Sequence, residues 1–316
     1  MLEIENVSRS FGKNRVLDGV SFTVGDGRMT GFVGGNGAGK TTTMRIILGV
    51  LASDTGTVTL DGTRLTPADR ALFGYMPEER GLYPKMKVAE QIVYLGRLHG
   101  MSASAAKAST DDLLERLGLG ERANATVESL SLGNQQRAQI AAALVHDPSV
   151  LVLDEPFSGL DPMAVETVQT VLTEHAATGV PVLFSSHQLD IVERICDDLV
   201  VIAGGTIRAQ GSREELREQH SEARYEIDLA HDAGWVREMP GVRVVELDGD
   251  YAVFEVDRGA PGESSQPGQS SQQGQSSQQG QDAAQAVLRR ALETGPVRRF
   301  APVLPTLSQI FKEVVR

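Results

Sequence analysis

The first two thirds of the chain alternate short apolar runs with helix-like patterns, and this alternation predicts an α/β fold. Met29–Gly34, Val150–Asp154 and Val182–Ser186 are short, apolar and bounded by turn residues, as expected for buried parallel strands. Between about residues 85 and 135 the apolar positions follow helical spacing and strand-like runs are few. We therefore expect a helical subdomain inserted into a core that spans residues 1–215.

The pattern changes at Arg224, where apolar and polar residues begin to alternate. A strand, a short helical stretch around Trp235, a hairpin, a helix and another strand follow, and a last helix begins at Thr306. Their order, β-α-β-β-α-β, is that of a split βαβ arrangement. We expect residues 216–316 to form a small α+β accessory domain at the C-terminal end of the core.

A low-complexity segment interrupts this accessory domain. Residues 264–281 read SSQPGQ-SSQQGQ-SSQQGQ, three near-copies of a six-residue unit without a bulky apolar side chain. Such a segment buries too little surface to offset the entropy of ordering it. We expect residues 259–281 to be a flexible Ser/Gln/Gly loop between a strand and a helix, and a specific ligand role is the less favoured alternative.

Composition narrows the class of protein. Asp and Glu outnumber Lys and Arg by 42 to 30, and the resulting net charge of -12 disfavours a general nucleic-acid binder. No apolar run approaches the roughly 20 residues of a membrane-spanning helix, and the N-terminus lacks the pattern of a signal peptide. The single cysteine, Cys196, cannot form an intramolecular disulfide, so we expect a cytoplasmic protein.

The segment from Gly34 to Thr41 fits the pattern G-x-x-x-x-G-K-[ST] and follows a predicted strand. Its glycines let backbone N–H groups converge on phosphate oxygens, and the following helix N-terminus adds partial positive charge. We expect Lys40 to reach the β- and γ-phosphates of a nucleotide and the Thr41 hydroxyl to bind Mg²⁺; this motif alone indicates an NTPase and does not identify the nucleotide. The predicted nucleotide-binding residues of this loop are Gly34, Gly35, Asn36, Gly37, Ala38, Gly39, Lys40, Thr41 and Thr42.

The run from Val150 to Glu155 is an apolar strand that ends in two carboxylates. Its form is that of the acidic motif that accompanies a phosphate loop. We expect Asp154 to hold Mg²⁺ through water and Glu155 to act as the general base that polarises the attacking water. Mg²⁺ is therefore a predicted cofactor.

Three further motifs resemble those of the ABC ATPase family. Residues 130–137, LSLGNQQR, resemble its LSGGQ-x-Q-R signature; residues 158–162, SGLDP, resemble its D-loop; and residues 185–187, SSH, match its switch histidine. The motifs stand in the order found in the family, and the resemblance covers residues 1–215. It implies a P-loop core with an antiparallel β subdomain and an inserted helical subdomain.

In that family two nucleotide-binding domains close face to face around two ATP molecules. The resemblance implies that Ser131, Gly133 and Asn134 contact the nucleotide held by the other subunit. Asp161 would likewise act across the dimer, and it also precedes a proline in a good helix start. His187 would hydrogen-bond the γ-phosphate and sense its loss.

Two motifs depart from the family pattern. The signature has Leu132 and Asn134 in place of Gly and Gln, and Glu78 replaces the expected Gln of the Q-loop. A carboxylate at position 78 can still bind Mg²⁺ or its water. Glu at this position, a GNQ-type signature and a C-terminal extension resemble the ATPases of ABC-2-type exporters, among them sodium- and drug-export systems.

The family also stacks an aromatic residue on adenine. Phe11 is the candidate for this role, and core packing of its ring is the alternative.

The predicted function is ATP hydrolysis by Lys40, Glu155 and His187 in a dimer, formed either with a second copy or with a paired ATPase subunit. Separate membrane-spanning permease subunits would dock at about residues 78–100, where Leu82 and Tyr83 would grip a helix end. The protein would then lie on the inner face of the cell membrane, held by the permease, and no nucleic-acid partner is expected.

Three alternatives remain at this point. A soluble ABC ATPase that remodels nucleic acid or ribosomes is disfavoured by the single cassette and by the acidic charge. A small-molecule kinase or GTPase shares the phosphate loop but leaves the signature and His187 unexplained. An inactive interaction subunit predicts the loss of Glu155 or Lys40, and both are present.

Overall fold

The computed structural model describes residues 1–79, 81–220, 224–256 and 273–315. The strands are β1 (Leu2–Phe11), β2 (Asn14–Val24), β3 (Met29–Val33), β4 (Thr55–Leu60), β5 (Thr63–Arg64), β6 (Phe73–Met76), β7 (Val150–Leu153), β8 (Val182–Ser186), β9 (Asp198–Ala203), β10 (Thr206–Ser212), β11 (Arg224–Leu229), β12 (Val242–Asp248), β13 (Tyr251–Val256) and β14 (Val297–Pro302). The helices are α1 (Lys40–Ile47), α2 (Pro67–Arg70), α3 (Val88–Leu98), α4 (Ala103–Arg116), α5 (Leu132–Leu144), α6 (Pro162–Ala176), α7 (Leu189–Ile195), α8 (Arg213–Gln219), α9 (Gln273–Thr294) and α10 (Leu307–Val314).

A six-stranded sheet in the order β10-β9-β3-β8-β7-β6 forms the centre of the first unit. Adjacent strands in this sheet are parallel, except that β10 runs antiparallel to β9. Successive side chains point to opposite faces, so in β7 Leu151 and Leu153 enter one buried cluster while Val150 and Val152 enter another. Both faces are covered, which explains why these strands are apolar throughout. The α/β class is confirmed.

An antiparallel sheet in the order β2-β1-β4-β5 packs over one face of the parallel sheet. Leu2, Ile4 and Phe22 from this sheet share a buried cluster with residues of α1 and the parallel strands. The ring of Phe22 stacks on that of Phe32 in β3, with centroids 5.1 Å apart. This is the antiparallel subdomain that the family resemblance implied.

The helices α3, α4 and α5 lie between β6 and β7 in the chain, although these two strands are neighbours in the sheet. The side chain of Ser102 caps α4 by accepting a hydrogen bond from the Ala105 N–H at 3.1 Å. Ile92, Leu114 and Ala138 of the three helices meet in one buried cluster. The segment is therefore the predicted helical insertion, and α5 continues beyond residue 135 to Leu144.

The second unit comprises residues 217–306 and has its own core. Its sheet is antiparallel in the order β12-β13-β11-β14, and the helical stretch around Trp235 is a 3₁₀ turn, Gly234–Glu238. When the four strands are numbered 1 to 4 along the chain, their order across the sheet is 2-3-1-4, which is the arrangement of a split βαβ fold. Phe254 and Val287 are buried where α9 covers this sheet.

Two predictions for the C-terminal part were wrong. The last helix, α10, belongs to the first unit rather than to the accessory domain, because buried Leu307 and Ile310 join the core of the first unit. Residues 273–281 of the expected loop 259–281 form the start of α9. A helix satisfies its own backbone hydrogen bonds, and Gln is a good helix former, so a segment without apolar side chains can extend one. The rest of that predicted loop lies outside the described residues.

Candidate nucleotide-binding site

The predicted motifs meet at one edge of the parallel sheet. β3, β8 and β7 are parallel neighbours, so their carboxyl ends lie side by side, where open α/β sheets bind ligands. A cleft of about 810 Å³ opens at this edge. It is lined by Asn14, Val16, Gly35, Asn36, Gly37, Ala38, Gly39, Lys40, Thr41, Thr42, Glu78, Asp154, Glu155 and His187.

The phosphate loop joins β3 to α1, and two of its glycines have no room for a side chain. Gly39 has a φ of 112°, and a Cβ there would lie 2.5 Å from Leu17 Cδ2. A Cβ on Gly34 would lie 2.5 Å from the carbonyl oxygen of Ile202. Gly34 does not line the cleft, so its contribution in this structure is the close packing that holds the loop.

The side chain of Lys40 folds back over the loop. Its Nζ donates hydrogen bonds to the carbonyl oxygens of Gly34 at 2.7 Å and Gly35 at 3.4 Å. Lys40 is also the first residue of α1, so the ammonium group adds to the partial positive charge of a helix N-terminus. Charge and backbone N–H groups at this point make an anion site suited to phosphate.

Oxygen ligands for Mg²⁺ lie beside this anion site. Thr41 Oγ1 donates to Asp154 Oδ2 at 3.0 Å, and Asp154 is only 1% exposed. Glu78 lines the same cleft. Hydroxyl and carboxylate oxygens are the ligands that Mg²⁺ prefers, together with substrate phosphates. The three residues therefore fit the predicted metal site.

Negative charge concentrates on this wall of the cleft. Burial raises the pKa of the Tyr75 phenol, and the carboxylates of Asp154 and Glu78 raise it further, against the opposing effect of Arg45. Among the residues that the structure describes, no three His, Cys, Asp or Glu side chains are grouped to hold a metal ion by themselves. Mg²⁺ is usually held by one or two carboxylates together with substrate phosphates.

Glu155 follows directly and stands in an unusual backbone conformation. Its φ is 53°, in the left-handed region that costs a residue with a side chain about 1–3 kcal/mol. Its Oε2 atom lies 2.9 Å from Nδ1 of His187. Glu155 is buried, whereas the His187 side chain is 57% exposed and borders the cleft. The predicted base and the predicted γ-phosphate sensor thus contact each other.

The signature residues lie elsewhere. None of Ser131, Gly133, Asn134 and Asp161 lines the cleft. Ser131 caps α5 by accepting a hydrogen bond from the Asn134 N–H at 3.4 Å, and the Asn134 side-chain oxygen accepts one from Arg137. Asp161 caps α6 in the same way, with a 2.8 Å hydrogen bond from the Ala164 N–H. In a single chain these four residues are separate from the phosphate loop.

The cleft is also bordered by two residues that were not predicted. Asn14 and Val16 of β2 line it, and Phe11 does not. Phe11 is 48% exposed, pairs with Asn14 across the β1–β2 turn, and has the Arg9 guanidinium 5.0 Å from its ring centroid. Its stacking on adenine stays a prediction. Asn14 and Val16 lie in β2, a strand that packs beside the phosphate loop. Recognising that packing could have indicated these two residues.

The segment after Glu78, which was predicted to dock a permease through Leu82 and Tyr83, exposes only one of these two side chains. Leu82 is 8% exposed and belongs to the core of the first unit, so it is not available to grip a partner. Tyr83 is 63% exposed and lines a second cleft of about 700 Å³. Its lining residues are Tyr83, Pro84, Lys85, Met86, Tyr94 and Glu128.

A parallel sheet, a glycine-rich loop at a helix N-terminus and a buried strand-end carboxylate beside it define a P-loop nucleotide-binding protein. Comparison with known proteins is more specific. Residues 17–158 match the family described as "ABC transporter". The chain is 40% identical over 242 residues to the uncharacterized ABC transporter ATP-binding protein YhaQ of Bacillus subtilis (strain 168), which covers 77% of this chain and 81% of that protein. The chain belongs to the ABC transporter ATP-binding proteins.

Two further similarities agree with this assignment. The Nod factor export ATP-binding protein I of Paraburkholderia xenovorans (strain LB400) is 40% identical over 218 residues, 68% of this chain and 72% of that protein. A solved structure described as the ATP binding subunit of an ABC transporter superposes with a TM-score of 0.65 at 32% identity, covering 69% of this chain and 92% of that chain. The protein is thus an ATP-binding subunit of a family that hydrolyses ATP to power transport.

Proposed function

We propose that this protein is the ATPase subunit of an ABC-2-type exporter, with Glu155 as the general base. The observation that carries the proposal is the cleft that unites the phosphate loop, Asp154, Glu155 and His187. A carboxylate at the rim of an anion site is placed to accept a proton from a water that attacks the γ-phosphorus. The bond from phosphorus to the β–γ bridging oxygen then breaks, and ADP and phosphate leave.

The predicted site residues have separate roles in this reaction. Lys40 and the loop N–H groups hold the phosphates, and His187 donates a hydrogen bond to the γ-phosphate while contacting Glu155 through Nδ1. Thr41, Asp154 and Glu78 would hold Mg²⁺, which when bound neutralises charge on the phosphates. Phe11 stacks on adenine at the end of the β1–β2 hairpin.

A second ATPase subunit completes the site. Because Ser131, Gly133, Asn134 and Asp161 stand outside the cleft of their own chain, they are free to face the nucleotide of a partner. Ser131 and Gly133 stand at the start of α5, where backbone N–H groups and the helix dipole favour an anion. The partner is a second copy or a paired ATPase subunit.

Translocation requires separate membrane-spanning permease subunits. Within the described ranges, no helix has the length and apolar character needed to cross a membrane. The second cleft, with Tyr83 and Tyr94 exposed at its rim, lies on the helical insertion and the segment before it. Its apolar and aromatic lining suits a helix end of the permease, which would hold the protein on the inner face of the cell membrane.

Export is favoured over import by two observations. The Nod factor relative is named for export, and Glu78 with a GNQ-type signature resembles the ATPases of ABC-2-type exporters.

The net charge of -12 disfavours a nucleic-acid partner.

Glu155→Gln tests the proposal, because it removes the base and keeps a neutral side chain of similar shape. We expect the hydrolysis rate to fall by roughly 10²–10⁴-fold and an ATP-bound dimer to accumulate on size-exclusion chromatography. Glu121→Gln, at an exposed position in the 3₁₀ turn Gly120–Arg122, is the matched control. Hydrolysis at the wild-type rate by Glu155→Gln would exclude Glu155 as the base.

A further inference from the structure

Both hydrogen-bonding groups of the Glu155 backbone are paired with side chains from other elements. The Glu155 N–H donates to Ser185 Oγ, near the end of β8, at 2.9 Å. The Gln136 Nε2 group, on α5, donates to the Glu155 carbonyl oxygen at 2.8 Å. Neither side chain lines the cleft, so both act on Glu155 rather than on a nucleotide.

These contacts hold Glu155 in a conformation that its side chain disfavours. With φ at 53° the Cβ of an L-residue approaches its own carbonyl group. Such a backbone persists only where its surroundings over-determine it. Here the surroundings are the side chains of Gln136 and Ser185, one on each side of the Cα, together with the Ser158 N–H, which also donates to the Glu155 carbonyl oxygen at 3.2 Å. The resulting conformation places the Glu155 carboxylate 2.9 Å from His187.

Ser185 links the two acidic residues. Its hydroxyl donates to Asp154 Oδ1 at 2.5 Å while it accepts from the Glu155 N–H. Ser185 is fully buried, so water does not compete for either hydrogen bond. One side chain of the neighbouring strand β8 therefore contacts both the Asp154 carboxylate and the Glu155 backbone.

We propose that Gln136 and Ser185 are positioning residues that keep Glu155 aimed at the water it activates. This inference rests on the proposed role of Glu155 as the base. Gln136 lies on the helix that Ser131 caps, so the position of the signature helix α5 is transmitted to Glu155 of the same chain. Gln136 belongs to the signature segment and Ser185 precedes the switch histidine, but neither position by itself indicates this role.

Gln136→Met is the first test, since it keeps the length of the side chain and removes the donor. We expect kcat to fall by about 5- to 50-fold, because one partly buried hydrogen bond that positions the backbone of the proposed base is lost. The KM for ATP should change by less than about twofold, because the phosphate loop is untouched. Ser185→Ala should lower kcat at least as much, and Ser185→Thr, which keeps a hydroxyl, should restore most of it.

A second variant set separates positioning from folding. The Gln135 Nε2 group donates to the carbonyl oxygens of Val127 and Leu130, both at 3.0 Å, without touching Glu155. Gln135→Met therefore loosens the same helix and should lower the melting temperature at least as much as Gln136→Met. If Gln135→Met loses as much kcat as Gln136→Met, the loss comes from a loosened α5 and the proposal is overturned.

The decisive measurement is made where the base is absent. In the Glu155→Gln background, adding Gln136→Met should leave the single-turnover rate unchanged, because the residue acts only through Glu155. A further drop equal to that in the wild type would overturn the positioning role. If Glu155→Gln alone retained the full rate, Glu155 would not be the base and the proposed function would fail. If Glu155→Gln lost the rate while Gln136→Met and Ser185→Ala hydrolysed ATP at the wild-type rate, only the positioning role of Gln136 and Ser185 would fail.

Discussion

At the residue scale, a half-buried histidine is expected to make the stability of the first unit depend on pH. His146 stacks on His99 with ring centroids 3.6 Å apart and an angle of 12° between the planes. Its Nε2 atom lies 3.3 Å from the Phe73 carbonyl oxygen. Burial lowers the pKa of His146 to about 4, the charges of His99 and His175 act in the same direction, and Asp147 opposes them.

We expect the free energy of unfolding to fall as the pH decreases from about 6.5 to about 4. In that window unfolded His146 binds a proton and folded His146 does not, so stability is full above the unfolded pKa and is lost on acidification. After allowance for the partial exposure of the ring, the His146 contribution is about 1–2 kcal/mol.

The measurement is urea unfolding of the wild type and His146→Gln at about pH 7.5 and about pH 5. The variant should lose less stability than the wild type on acidification. His231→Gln, in the second unit, controls for the general loss of a histidine. Equal losses in the wild type and His146→Gln would show that another group titrates.

At the scale of single elements, helix α10 ties the C-terminal end of the chain to the first unit. It packs on α7, which begins just after His187. Leu307 and Ile310 are buried in the core of the first unit, and Phe311 packs against it half-buried. Both α7 and α10 belong to the first unit.

We expect Ile310→Ala to destabilise the first unit by about 2–4 kcal/mol, the usual cost of emptying such a core position. The single tryptophan, Trp235, lies in the second unit, so its fluorescence reports that unit separately. Loss of binding of a fluorescent ATP analogue reports the first unit. During urea titration the ATP-analogue signal should disappear earlier in the variant, and the Trp235 transition should not move.

Lys312→Ala, on the exposed side of the same helix, is the matched control and should move neither transition. A shift of the Trp235 transition alone would mean that α10 stabilises the second unit instead.

At the scale of the whole molecule, the proposed function requires that ATP hydrolysis is transmitted to a permease. The cleft of about 700 Å³ offers two exposed tyrosines, Tyr83 and Tyr94, on either side of the start of α3. Tyr83 stands just beyond Glu78, which lines the nucleotide cleft. A change at the γ-phosphate therefore has a short path to this surface.

We expect Tyr83→Ser combined with Tyr94→Ser to uncouple the transporter. Basal ATPase activity of the purified protein should survive, because neither residue lines the nucleotide cleft. Co-purification with the membrane subunit and ATP-driven export should fall. Val50→Ser, an exposed apolar residue outside this cleft, is the control, and intact co-purification of the double variant would place the docking surface elsewhere.

Features that depend on neighbouring residues could be predicted from the sequence. The phosphate loop from Gly34 to Thr41, the carboxylates that end β7 and the helix caps Ser131 and Asp161 are each set by contiguous residues and local sterics. The α/β order of the core was predictable for the same reason, since apolar runs of strand length mark buried parallel strands.

Other features were decided only by contacts between residues far apart in the chain. Leu82 was expected at the surface and is buried, and α10 was assigned to the accessory domain but packs on α7. The left-handed backbone of Glu155 accepts a hydrogen bond from Gln136 and donates one to Ser185, and these two residues lie on two other elements. A local pattern carries no information about such partners, because burial and hydrogen bonding are settled only when the elements have packed together.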